Sequence, residues 1–151
     1  MSTRDPMVFL RQQAEKKVEA RVQALGAAQQ QWQQATQQLT QLETYEREYQ
    51  QALQQQVTSS GMSITDLLNH QSFIHSLHQV VSQQTRQVTH CQHLVSQHRV
   101  LWRHEKQRLN AFETLQTRAA ERETQRVQRQ EQKLMDEFAQ RAGRKGDESC
   151  L

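Results

Sequence analysis

All seven histidines of this 151-residue chain lie between positions 70 and 104. His75 with His78, and His90 with His93, stand three residues apart. On a helix that spacing brings two imidazoles to one face, the beginning of a metal site. A metal needs further ligands, and no carboxylate or thiol converges on the same face. Cys91 and Cys150 have no metal-ligand spacing between them and read as two free thiols in a reducing compartment. No Ser-His-Asp set, glycine-rich phosphate loop or pair of carboxylates can be assembled on elements that enclose no cleft. The chain is therefore expected to be no enzyme and to hold no metal or cofactor.

The elements that carry these residues are helices. Between Gly61 and Gly143 there is neither glycine nor proline, and an apolar residue recurs at every seventh position: Leu67, Ile74, Val81, Val88, Val95, Trp102 and Leu109. A period of seven holds one stripe on one face of a slightly underwound helix, as in a coiled-coil seam. The second seam row reads His70, Leu77, Gln84, Cys91, His98, Glu105 and Phe112, half of it polar. Toward the N-terminus Val18, Leu25, Trp32, Leu39 and Leu53 keep the same step, interrupted by Glu46, with a companion row of Ala28, Ala35, Leu42 and Tyr49. The cluster Thr58-Ser59-Ser60-Gly61-Met62-Ser63 breaks the pattern with turn residues. The expected fold is all-α: a long antiparallel two-helix coiled-coil hairpin forming a single domain over 1–151. Its parts are helix one at about 6–57, a turn at 58–63, helix two at about 64–142 and a flexible tail at 143–151. Asp5-Pro6 suits a helix start, Ser63 or Thr65 a second cap, and Gly143 a C-terminal stop.

Composition agrees with an extended contact protein. Only 34% of the chain is hydrophobic, mean hydropathy is -0.97, and 30 residues are glutamine, a good helix former with no charge. No apolar run approaches the ~20 residues of a membrane span, and Met1 to Leu10 has no signal-peptide core. The net charge of +3 resides entirely after position 98, where twelve basic residues face nine acidic ones. Such an excess suits an acidic protein partner, and the interspersed acids disfavour nucleic acid.

Helices of ~50 and ~80 residues would span roughly 75 and 120 Å. Counted from the turn, Leu53 should face the region of His70, and the last 25–30 residues of helix two should overhang. Three apolar residues, Tyr45, Phe73 and Val80, lie outside the seam rows. Gln38, Leu42, Tyr45 and Tyr49 form one helical stripe, and Phe73, Leu77, Val80 and Gln84 repeat its spacing. Together they either thicken a thin core or make a partner face, since exposed aromatics are favoured anchors. Arg118, Arg122, Arg126, Arg129 and Lys133 share one face of the overhang, which is either a solvated surface or a meeting place for acidic groups.

The run from Lys133 to Ala142, KLMDEFAQRA, resembles the ending of the flagellar FliJ family. Three further stretches resemble that family in order and spacing: LTQLETYEREYQ (39–50), HQSFIHSLHQ (70–79) and WRHEKQRLNAFETLQ (102–116). The tail GRKGDESCL does not. The resemblance implies a stalk component of the flagellar type III protein export apparatus, cytoplasmic and peripheral to the cell membrane at the flagellar base. Its implied partners are the hexameric export ATPase, which the end bearing Leu134 and Phe138 would enter, the export-gate membrane protein FlhA, and export chaperones. It further implies that the gate contact uses the stripes matched by Gln38, Leu42, Tyr45, Tyr49, Phe73, Leu77, Val80 and Gln84. An injectisome stalk of the same shape, or a self-associating structural coiled coil, are the alternative expectations.

Overall fold

Helix formation begins at Asp5, whose carboxylate Oδ1 accepts the Met7 N–H at 3.0 Å while its carbonyl accepts Phe9 N–H at 3.3 Å. The cap satisfies amides that the first turn leaves without intrahelical partners. In the computed structural model, which describes residues 5–149, helix α1 then spans Pro6–Ser59 and helix α2 spans Ile64–Ser149, packed against each other. Among the described residues there is no strand.

The link from Ser60 to Ser63 turns on Gly61, the one residue among those described with a positive φ (73°), a conformation in which a side chain would be strained. Ser60 N–H still donates to the Gln56 carbonyl at 3.1 Å. Ser63, of the two expected candidates, caps α2: its Oγ accepts the Asp66 amide at 3.2 Å and its carbonyl the Leu67 amide at 3.0 Å.

Two boundaries differ from expectation. Helix α1 runs two residues past position 57, its end held by Thr58 and Ser59 hydroxyls donating to the carbonyls of Gln54 and Gln55. Helix α2 does not stop at Gly143 but continues through Gly146 to Ser149, so residues 143–149 are helical and no tail begins there. A glycine costs a helix about 1 kcal/mol, which does not by itself end one.

Contacts divide the chain into two units. The hairpin unit comprises Lys17–Glu105. Inside it the expected seam rows are the inner ones: Val95 is 3% exposed, Cys91 4%, Ala35 5%, Ala28 6% and Leu77 8%. Leu67, Ile74, Val81, Val88 and Trp102 are half-buried, as are Val18, Leu25, Trp32, Leu39 and Leu53. Three cross-helix polar contacts give the antiparallel sense and the register: Tyr49 with His70, Glu46 with His78, and Gln84 with Ala35 and Gln38. These pairs set His70 across from the stretch between Tyr49 and Leu53, the region expected, and the hydrogen bond singles out Tyr49 within it.

The terminal unit comprises the start of α1 up to Lys16 and α2 from Lys106 onward. Its core is small, with Ala14 at 3% and Leu109 at 5% exposure. Phe112 and Gln116 are half-buried, and from Thr117 through Gly146 every residue is exposed. The overhang expected from helix length is thus present, and its helix makes no use of the seam.

Candidate partner-binding surfaces

In the hairpin unit, Tyr49 is the centre of an aromatic cluster. Its ring lies 4.7 Å from Phe73, 5.7 Å from the His70 imidazole and 6.4 Å from Tyr45, all tilted at 43–48°. These are favourable offset geometries for rings. The Tyr49 hydroxyl and His70 Nδ1 share a hydrogen bond, which ties the ring to the opposite helix. Tyr45 (49%), Phe73 (42%) and Val80 (45%) are exposed, so these three are not consumed by the core. Leu42, Tyr49 and Gln84 are half-buried and Gln38 is exposed. Leu77 belongs to the core and can only support the surface from beneath.

Gln84 Nε2 donates to the Ala35 carbonyl at 3.0 Å and to Gln38 Oε1 at 3.3 Å, so two of the eight expected residues are held together. Beside them His78 Nδ1 lies 3.5 Å from Glu46 Oε1, the residue that interrupts the α1 frame. Sequence reasoning did not assign roles to His70, His78 or Glu46. The available signal was that polar seam residues demand polar partners across the seam, but which side chains reach across to pair required coordinates. Charge is uneven here: between Glu48 and Arg86 only Asp66 is acidic or basic, histidines apart, whereas Glu43, Glu46, Arg47 and Glu48 flank Tyr45 on α1.

The bare end of α2 has a different character. Leu134 (65%), Met135 (68%) and Phe138 (73%) are exposed, and Val127 is exposed on the same side. Arg118, Arg122, Arg126, Arg129 and Lys133 are exposed too. Arg126 is not free. Its Nη2 and Nε donate to Glu123 Oε1 and Oε2 at 2.6 and 3.1 Å, a two-pronged pair. That hydrogen-bonded guanidinium lowers the Glu123 carboxyl below its usual value and raises Arg126 in return. Arg122 Nε donates to the Arg118 carbonyl at 3.4 Å. No group of three His, Cys, Asp or Glu that could hold a metal occurs among the described residues, and none of their helices is long and apolar enough to cross a membrane. Cys150 lies outside the described residues.

Two long packed helices with a heptad seam and exposed side-chain surfaces define an all-α coiled-coil protein. The sequence model of one family, described as Flagellar FliJ protein, matches residues 3–148. A Flagellar FliJ protein of Salmonella typhi is 39% identical over 83 residues, 55% of this chain and 56% of that protein. The Flagellar FliJ protein of Escherichia coli strain K12 is 38% identical over 84 residues, 56% of this chain and 57% of its own length. The alignment thus spans a little over half of each curated relative. The chain belongs to the FliJ family of flagellar proteins.

Proposed function

We propose that this chain acts in flagellar type III protein export as a stalk component: it engages the hexameric export ATPase through the bare end of α2 and the gate protein FlhA through the aromatic surface of the hairpin unit. Escort of export chaperones belongs to the same reading, as does a cytoplasmic position peripheral to the membrane. Family membership over residues 3–148 carries the proposal. Two features support its division of labour. The bare end has an apolar row and a basic row on a helix with no packing partner, and isolated helical extensions in water are marginal. The hairpin surface presents aromatic anchors, the side chains that dominate binding energy at interfaces.

The work assigned to the chain is contact. Nothing in the reading calls for a reaction on a side chain. The test is co-purification with the export ATPase and, separately, with the cytoplasmic domain of FlhA. Reversal of Arg122 and Arg126 to Glu should release the ATPase only, and Tyr45→Ala with Phe73→Ala should release FlhA only. A chain that captures neither and pairs only with itself is a structural coiled coil, and the stalk reading fails.

A further inference from the structure

We propose that His70, a seam residue outside the eight surface positions, is a positioning residue for the aromatic surface: its Nδ1 is hydrogen-bonded to the Tyr49 hydroxyl and sets the ring against which Tyr45 and Phe73 lean. The inference rests on the reading of that surface as partner-binding.

His70 occupies a seam row in which Leu77 and Cys91 are buried. A polar residue at a seam position weakens a coiled coil relative to an apolar one, and its usual return is a defined geometry. Here the geometry is visible. His70 is both hydrogen-bonded to the Tyr49 hydroxyl and tilted to its ring at 5.7 Å. Tyr49 in turn lies closest to Phe73, at 4.7 Å, and reaches Tyr45 at 6.4 Å. A tyrosine ring turns about two side-chain torsions, and a hydroxyl anchored on the opposite helix leaves it one orientation. Both exposed aromatics are then presented in a fixed arrangement, so a partner does not have to order them on binding.

A purely structural role and a positioning role predict opposite combinations. Replacing His70 by Leu restores an apolar seam, so thermal stability should hold or rise while binding to the FlhA cytoplasmic domain falls about tenfold, the order of one net hydrogen bond. His70→Asn returns an acceptor near Nδ1 and should recover most of that loss. Tyr49→Phe removes the hydroxyl alone and should match His70→Leu, with the double variant no weaker than either single one. His70→Leu binding like the unaltered chain overturns the inference, as do losses that add in the double variant. So does a fall in stability that parallels the fall in binding. Tyr45→Ala with Phe73→Ala is measured alongside: if that variant binds normally, the partner surface itself is misassigned; if it fails to bind while His70→Leu binds fully, only the positioning role is lost.

Discussion

Histidines apart, between Glu48 and Arg86 the chain contains one acidic or basic residue, Asp66; from Thr117 to Gly146 it contains eight basic and five acidic ones. The first stretch lies in the hairpin unit, whose seam is covered and whose exposed apolar groups include the rings Tyr45 and Phe73, braced by Tyr49. The second is a helix exposed on every side, where apolar and charged rows alternate around one cylinder. The same heptad grammar produced both. The difference is whether a second helix stands opposite, and it teaches that a repeat specifies a face but not its occupant. Where α1 is present the face becomes core; where it is absent the face remains available.

The largest expected effect compares two leucines of α2. Leu109 is 5% exposed and Leu134 65%. Leu109→Ala should cost about 2–4 kcal/mol of unfolding free energy, the usual range for a truncated core leucine, and Leu134→Ala less than about 0.5 kcal/mol. Urea titrations followed by circular dichroism read both. Equal losses would mean that the end of α2 is covered in solution.

Next comes the aromatic surface. Tyr45→Ala with Phe73→Ala should leave helicity and the unfolding midpoint nearly unchanged and weaken FlhA binding by about 2 kcal/mol or more. A collapse of helicity would return these rings to the core.

Then comes the bare end. Reversing Arg122 and Arg126 should weaken ATPase binding by about 1 kcal/mol or more, and added salt should weaken it in the unaltered chain, since exposed charges are screened over ~8 Å at physiological ionic strength. Amide exchange gives an independent measure: residues 117–146 should exchange fast in the free protein and slow when the ATPase is added. Protection already present without the ATPase would remove the contrast between the two regions.

The smallest effect concerns Glu123. Its carboxyl is lowered by Arg126, so the pair's contribution is complete above the carboxyl value of the unfolded chain. It disappears only as pH falls through the lowered value. Between pH 5 and 8 helicity of this stretch should not change on account of the pair. A carbon-detected NMR titration should place Glu123 below the same residue in the unfolded chain, and Arg126→Gln should erase the difference.

Much of the fold was legible because it rests on one-dimensional periodicity. The rows through Leu67 and His70 are inner rows along their whole length, polar members included, since a helix cannot present every seventh residue to anything but the same side. The bare end was legible from unequal helix lengths. What failed depended on three-dimensional detail. Gly143 read as a stop, yet a glycine ends a helix only if the chain gains by turning there, and α2 continues. The Tyr49–His70 bond was not legible, because counting from the turn gives the facing region and not which side chain reaches across it. The exposed positions Tyr45, Phe73 and Val80 were recoverable, whereas the buried support of Leu77 and the brace of Gln84 on Ala35 required coordinates.

The near absence of charge between Glu48 and Arg86 also bears on how much of this protein a cell can hold unbound. Like-charge repulsion helps keep soluble chains apart, and the α2 side of the surface around Phe73 has almost none of its own, the carboxylates of Glu43, Glu46 and Glu48 lying on the α1 side. Two copies meeting through Phe73 and its α2 neighbours would encounter little electrostatic penalty. Supply in excess of partners would then favour clumping, so matched stoichiometry with whatever covers the rings becomes a requirement of the sequence itself.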